Sequence, residues 1–398
     1  VTAGRVFQPF ANGRFSLYFT GQVVSNTGTW FQNLALSLVV LDATGSARAL
    51  SGVTVAQFLP LLLLSVPAGR VADRVRPRTI LLITSLLSAV IVGGLALVTL
   101  VPDAPVGVLY GLVAALGTVH TFDRVAAQAI IFELVGPGEL SRAVSLSTIA
   151  LASARSIGPG LAGVAFQGLG ATACMLINAL SFVLVFVSIA LIRPSALHPR
   201  EVRDRRAGDD GFRVREDRPL VTLLVVNAVV ALLALNLMLV LTSTVALTFD
   251  GDAAAVGFVH TLNAVGAILG GILAASRTKV AVRSLTAACA GLGLALLANA
   301  AAPMLPVFLA LGPLLGLGVG YYQGILNAAA QVSVPPQHIG RTMSLVTLGN
   351  YGMVPFGALL MGWVIDEAGG RAALAIGGTA ALACSAFVVL RLGSGRKM

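Results

Sequence analysis

Apolar runs long enough to cross a lipid bilayer recur along the whole chain, and they leave few folds open. A spanning helix needs roughly 20 mostly apolar residues. Twelve such runs can be marked, at 15–41, 50–68, 79–101, 106–128, 143–168, 171–192, 219–247, 255–275, 284–302, 305–326, 343–365 and 372–391. They are continuous rather than alternating, which argues for helices and against a β-barrel. Only 11% of the residues are charged, against about 25% in a soluble domain. A soluble enzyme, a disordered chain and a fibre are thereby disfavoured. The first run is long and followed by many others, so it is expected to be retained rather than cleaved as a signal peptide. The three cysteines, Cys174, Cys289 and Cys384, fall inside apolar runs and read as small core residues.

A net charge of +10 would suggest nucleic acid in a soluble protein. Here topology explains it better. With twelve spans and an inside N-terminus, 23 of the 26 basic residues fall in cytoplasmic segments, including Arg70, Arg74, Arg76 and Arg78. Arg48 and Arg371 lie on the other side, and Arg155 lies within a span. The positive-inside rule therefore predicts two cytoplasmic termini. One long polar segment, 193–218, carries eight arginines among acids and divides the spans six and six. It reads as a solvated linker able to meet anionic lipid. The expected units are a helical bundle at 1–192, this linker, and a second bundle at 219–398.

The two halves repeat weakly. Arg142-Ala-Val-Ser-Leu and Arg341-Thr-Met-Ser-Leu open the fifth and eleventh spans at a spacing of 199 residues. Gly158-Pro159-Gly160 and Pro355-Phe356-Gly357 follow in turn. Two homologous six-helix halves with substrate bound between them near the midplane are one transporter plan.

The sharpest motif joins spans two and three: Gly69-Arg70-Val71-Ala72-Asp73-Arg74-Val75-Arg76-Pro77-Arg78. Gly69 would admit a neighbouring helix, and Asp73 would accept from free N–H groups at a facing helix start. The run resembles the Gly-x-x-x-Asp-Arg-x-Gly-Arg-Arg/Lys signature of the major facilitator superfamily, with Arg76 and Pro77 departing from it. Phe122-Asp123-Arg124-Val125-Ala126-Ala127-Gln128, followed by Glu133-Leu134-Val135, is similar to a stretch of the branch holding enterobactin and macrolide exporters. Val125 and Ala127 replace that stretch's Pro and Arg. Gly158-Pro159-Gly160-Leu161-Ala162-Gly163 resembles the superfamily's antiporter signature, while the fourth-span Arg-x-x-Gln-Gly of many drug antiporters is absent. The resemblance implies an all-α membrane protein of twelve transmembrane helices in two pseudo-symmetric six-helix bundles. It also implies that spans two and eleven face each other. The amides of Thr342, Met343 and Ser344, just after Arg341, are then expected partners of Asp73 when the cytoplasmic side is closed, with Arg74, Arg78 and Arg124 alongside. Gly158 and Pro159 would keep the fifth span pliant.

Gln22, Asn26, Trp30 and Asn33 recur at steps of four, four and three on the first span, hence on one helical face. Lipid cannot satisfy such a stripe, so it faces protein or a substrate path. Asn227, Asn236, Tyr321, Tyr322 and Gln323 are further cavity candidates. Arg155 should face the interior and have a partner, as a docking point for an anionic group or as a structural anchor. No carboxylate lies at the centre of a span. Proton coupling needs a group that titrates between two access states, and Asp123, then Glu133, then His120 and His260 are the candidates. No nucleophile triad, metal cluster or nucleotide loop is legible, so neither an enzyme nor a cofactor is expected.

The expected function is therefore secondary active export of small, partly hydrophobic molecules by proton antiport across the bacterial inner membrane. The partners would be substrate, protons and lipid, the chain would be a monomer, and nucleic acid would play no part. A facilitator or importer of a small or lipid-like metabolite is the first alternative. A non-transporting membrane receptor is the second.

Overall fold

The structure is a computed structural model and describes residues 8–101, 104–198, 218–277, 282–335 and 338–393. The described residues are helical apart from short connections. Helix is what a bilayer demands, because each backbone polar group must be paired within its own segment. The helices are α1 (Gly13–Thr44), α2 (Ala47–Arg74), α3 (Pro77–Val98), α4 (Val106–Leu191), α5 (Arg218–Leu233), α6 (Leu237–Ser243), α7 (Ala253–Ala275), α8 (Val282–Ala300), α9 (Leu305–Val332) and α10 (Ile339–Leu392). A π turn, Thr244–Thr248, extends α6.

Among the described residues, eight helical elements are long and apolar enough to cross a membrane, counting Pro219–Thr248 as one. α1 is not among them, although it has 32 residues. Its amides and hydroxyls dilute the apolar run. Many of those hydroxyls are satisfied locally: Thr20, Thr27, Thr29 and Ser37 each donate to the carbonyl four residues earlier at 2.8–2.9 Å, the usual helical back-bond.

Two elements are longer than any bilayer needs. α4 has 86 residues and turns at Gly136 and Gly170, and α10 has 54 and turns at Gly369. At Gly170 and Gly369 the backbone lies at φ 79° and 83°, in the region only glycine enters freely. Gly369 stands 199 residues after Gly170, so the two halves share one break at the spacing of the sequence repeat.

The chain divides into two compact units. One is Val1–Val39 with Ala56–Ala207, and the other is Val40–Val55 with Gly208–Met398. The boundary between Ala207 and Gly208 falls in the charged segment expected as a linker, whose residues 199–217 lie outside the described residues. In the first unit Tyr18, Leu81, Ile130, Leu134, Val185 and Ile189 form a buried cluster. Phe10, Phe15 and Phe19 pack beside Ala143 and Leu146, with ring centroids 4.9–5.7 Å apart.

The second unit is built on close backbone approach. Gly266 and Gly270 on α7 face the carbonyls of Pro313 and Leu317, while Gly316 and Gly320 on α9 face those of Asn263 and Ala267. A Cβ at any of the four would strike backbone. Small residues four apart let membrane helices pack by van der Waals contact where no hydrophobic drive separates protein from lipid. α8 and α10 meet likewise at Gly293 and Gly378.

Candidate functional site

In the first unit, α1 presents two polar faces. Gln32 is buried and accepts from Asn178 Nδ2 at 2.7 Å, while Asn178 Oδ1 accepts from Ser181 at 3.0 Å. Gly28 makes room for that pair, since a Cβ there would lie 2.7 Å from Asn178 Oδ1. This face holds α1 to α4. The stripe of Gln22, Asn26, Trp30 and Asn33 is half-buried. Trp30 lies across Gly158, whose Cβ would come within 2.8 Å of the indole. The stripe and the Gly-Pro segment, two separate motifs in sequence, thus meet at one point. Gln22 shares a hydrogen bond with the Tyr18 hydroxyl, and Tyr18 lies within electrostatic reach of Asp123. Asp123 in turn accepts from Thr84 at 2.8 Å, with Arg124 near both it and His120. Tyr18 and Thr84 were not singled out in the sequence, because each is a lone polar atom in an apolar run.

A cavity of about 430 Å³ lies at the end of α2. Asp73, Arg74, Arg76, Arg78, Glu133 and His198 line it. The motif and the Glu-Leu-Val stretch therefore converge. Glu133 is buried, and its carbonyl accepts from the His198 amide at 2.8 Å. Arg78 donates to the carbonyls of Ile192 and Ala190 at 3.0 and 3.1 Å. It thereby satisfies orphan acceptors at the end of α4. Asp73 is exposed and belongs to the first unit, whereas Thr342, Met343 and Ser344 belong to the second. Arg124 and Arg341 are exposed, and Pro159 is buried. Open space surrounds the position a Cβ would take at Gly69.

Arg155 is exposed, and among the described residues it makes no hydrogen bond or ion pair.

In the second unit Asn227 is fully buried and donates to the Val346 carbonyl at 2.9 Å beside Gly349. Asn236 is buried and donates to Ala231 and Leu232 carbonyls at 3.3 and 3.1 Å, where the chain pauses between α5 and α6. Both amides serve backbone groups. Tyr322 is wholly buried, Tyr321 lies 5.9 Å under the Arg277 guanidinium, and Gln323 is exposed. His260 is buried and pairs with Thr242 at 2.9 Å.

A contact that sequence reasoning missed also lies in this unit. Asp366, near the end of a helical stretch of α10, sits on the N-terminus of α2. Its carboxylate accepts from the Ala47 amide at 2.7 Å, the Arg48 amide at 3.2 Å and the Ser46 hydroxyl at 2.6 Å. Arg48 pairs with Glu367. Below them Gly362 meets the Ala47 carbonyl and Ser51, at 2.8 and 2.9 Å from where its Cβ would be. The carboxylate thus does what an N-cap side chain does, supplying an acceptor to free N–H groups. It comes from 319 residues away, which is why no local pattern announces it.

Two units of membrane-length helices joined by a repeat, with a polar face on the first helix, define a membrane transporter of the major facilitator type. The chain belongs to the transmembrane secretion effector family, which it matches over residues 4–395. It is 22% identical over 399 residues to macrolide efflux protein A of Streptococcus pyogenes, covering 97% of each chain. It is 28% identical over 384 residues to the multidrug efflux pump Tap of Mycobacterium tuberculosis, covering 92% of this chain and 90% of that one. Among solved structures, it resembles an inward-facing bacterial homologue of the iron transporter ferroportin. The TM-score is 0.74 at 15% identity, covering 96% and 99% of the two chains. The family and these relatives are transporters rather than enzymes.

Proposed function

We propose that this chain is a secondary active exporter of small, partly hydrophobic molecules such as drugs, siderophores or secondary metabolites. It works by alternating access, is driven by proton antiport, and sits as a monomer in a bacterial cytoplasmic membrane. The turns at Gly136, Gly170 and Gly369 support a count of twelve spans, and the arginine distribution supports cytoplasmic termini. The efflux relatives support the direction.

The observation that carries this reading is the polar stripe of Gln22, Asn26, Trp30 and Asn33 on α1, which meets the Gly158-Pro159 segment of α4 where Trp30 lies across Gly158. Asp123, held by Thr84 and reached through Tyr18 from Gln22, supports proton coupling near the polar stripe.

Reconstitution in liposomes tests the reading. A substrate panel should drive proton flux in the wild type. Asp123→Asn should abolish pH-gradient-driven transport while substrate binding changes less than about threefold, because the carboxylate alone is lost. Full proton-coupled transport by the variant removes Asp123 from the proton path.

A further inference from the structure

The stretch of α4 after Gly136 carries a strip of one character. Ser141, Ser145, Thr148, Ala152 and Arg155 follow at steps of four, three, four and three, which places them on one helical face. Ala152 is half-buried and the other four are exposed, while Ala143, Leu146 and Ala154 on the far side are buried. Beyond Arg155 the same face closes. Pro159 and Ala162 continue the spacing and are buried, and Gly158 lies under Trp30. The accessible polar strip therefore ends at Arg155.

The second half repeats the strip without the charge. Ser344 and Thr347 stand 199 residues after Ser145 and Thr148, Tyr351 after Ala152, and Val354 after Arg155. Ser344, Thr347 and Tyr351 are exposed in their turn. A helix in the same place in the repeat thus closes with valine. The repeated helix therefore does not carry a guanidinium at this position in both halves.

Arg155 pairs with no described acid, though Asp73, Asp123, Glu133 and Glu139 share its unit. Asp123 has its bond with Thr84, and Glu139 has Arg142 at 2.8 Å. An unpaired guanidinium in hydrocarbon is costly, so a water-filled path beside the strip is the setting that suits it, although Val144, Ile149 and Leu151 are exposed next to it. Asn26 and Asn33 flank Trp30, are half-buried, and their side-chain amides make no hydrogen bond among the described residues. α1 and α4 thus carry, to either side of the Trp30–Gly158 contact, a cation with five donors, two amides without a described partner and an indole.

We propose that Arg155 is the anion-recognition residue of the transport site, and that the molecules carried bear a carboxylate or phosphate on a partly apolar body. The planar guanidinium takes such a group through two parallel N–H bonds, Asn26 and Asn33 bond its polar substituents, and Trp30 covers the apolar part. This rests on the transporter reading above, and the experiment separates the two.

The first arm needs no substrate. In this chain, whose three cysteines are buried, Ala152→Cys places a thiol about one turn from Arg155. A negatively charged methanethiosulfonate should label it about tenfold faster than a positively charged one, as a focused field predicts. Adding Arg155→Gln should abolish the preference and Arg155→Lys should keep it. Equal rates for the two reagents in the Arg155 protein overturn the proposal.

The second arm uses efflux-deficient cells and matched aryl carboxylates, their methyl esters and aryl phosphate monoesters. Export of the acids but not the esters, lost in Arg155→Gln and partly retained in Arg155→Lys, is the expected result. The phosphate members show which anion is taken. Equal export of acids and esters, or unchanged acid export by Arg155→Gln, overturns the proposal. If nothing is exported, the proposed anionic substrate class is overturned while the liposome panel decides the transporter reading, and the labelling arm still decides whether Arg155 attracts anions. Unchanged thermal unfolding of Arg155→Gln guards against a folding defect.

Discussion

Asp366→Ala is expected to free the start of α2 from α10. The carboxylate serves two backbone amides and a hydroxyl of the α2 terminus. Loss of an N-cap costs about 0.5–2 kcal/mol, and a charge on a partly buried helix terminus contributes up to about 2 kcal/mol. Asp366 as a residue is exposed, but its side chain, which makes the bonds, is 19% exposed, so they keep part of that value. The neighbouring pair differs: Arg48 and Glu367 are 47% and 57% exposed, and pairs of that kind contribute about 0–1 kcal/mol. A difference near 1.4 kcal/mol between the joined and the parted state of this contact moves their ratio about tenfold.

Ser51 supplies the reporter. It is 1% exposed, beneath the contact, and donates to the Arg48 carbonyl at 2.7 Å. A Ser51→Cys thiol should react with a membrane-impermeant maleimide about tenfold faster when Asp366→Ala is added, and at most fivefold faster with Glu367→Gln. Turnover should fall, because the closed state forms less readily. Unchanged labelling with normal transport would make Asp366 an ordinary helix cap.

Gly316→Val is expected to prevent the second unit from assembling. The Cβ would be driven into the backbone of Asn263 on α7, and no rotamer can relieve a clash with backbone. Overpacking a core commonly costs about 1–3 kcal/mol. Here α7 and α9 must separate, and the adjoining contacts at Gly266, Gly270 and Gly320 loosen together, so the loss should reach the upper end or beyond. Folded protein recovered in detergent should fall at least about fivefold. Gly291→Ala is the control, because nothing stands within 4 Å of its Cβ and alanine suits a helix better than glycine by about 1 kcal/mol. Equal yields of Gly316→Val and wild type would mean that α7 and α9 are not held by backbone approach.

Gln22, Asn26, Trp30 and Asn33 were legible as a face because helical periodicity is a local property. The pairing of Asn178 with Gln32 was not, since it spans 146 residues and an isolated amide carries no sign of its partner. Asn227 and Asn236 looked like cavity residues for the same reason. An amide in an apolar run can serve a ligand or a neighbouring carbonyl, and only the packed helices decide which.

What the sequence determined by itself is the solvent, the helical class, the internal repeat and the family. Each follows from hydrophobicity, period or motif, which are counted along the chain. What the tertiary structure alone decided is who meets whom: Trp30 with Gly158, Asp123 with Thr84, and Asp366 with the start of α2. It also decided that Arg155 ends an exposed strip and has no hydrogen-bond or ion-pair partner among the described residues. These depend on side chains brought together across tens to hundreds of residues. The free energy of each contact is small beside that of burying the helices in the membrane, so the apolar pattern that dictates the spans leaves such contacts unspecified.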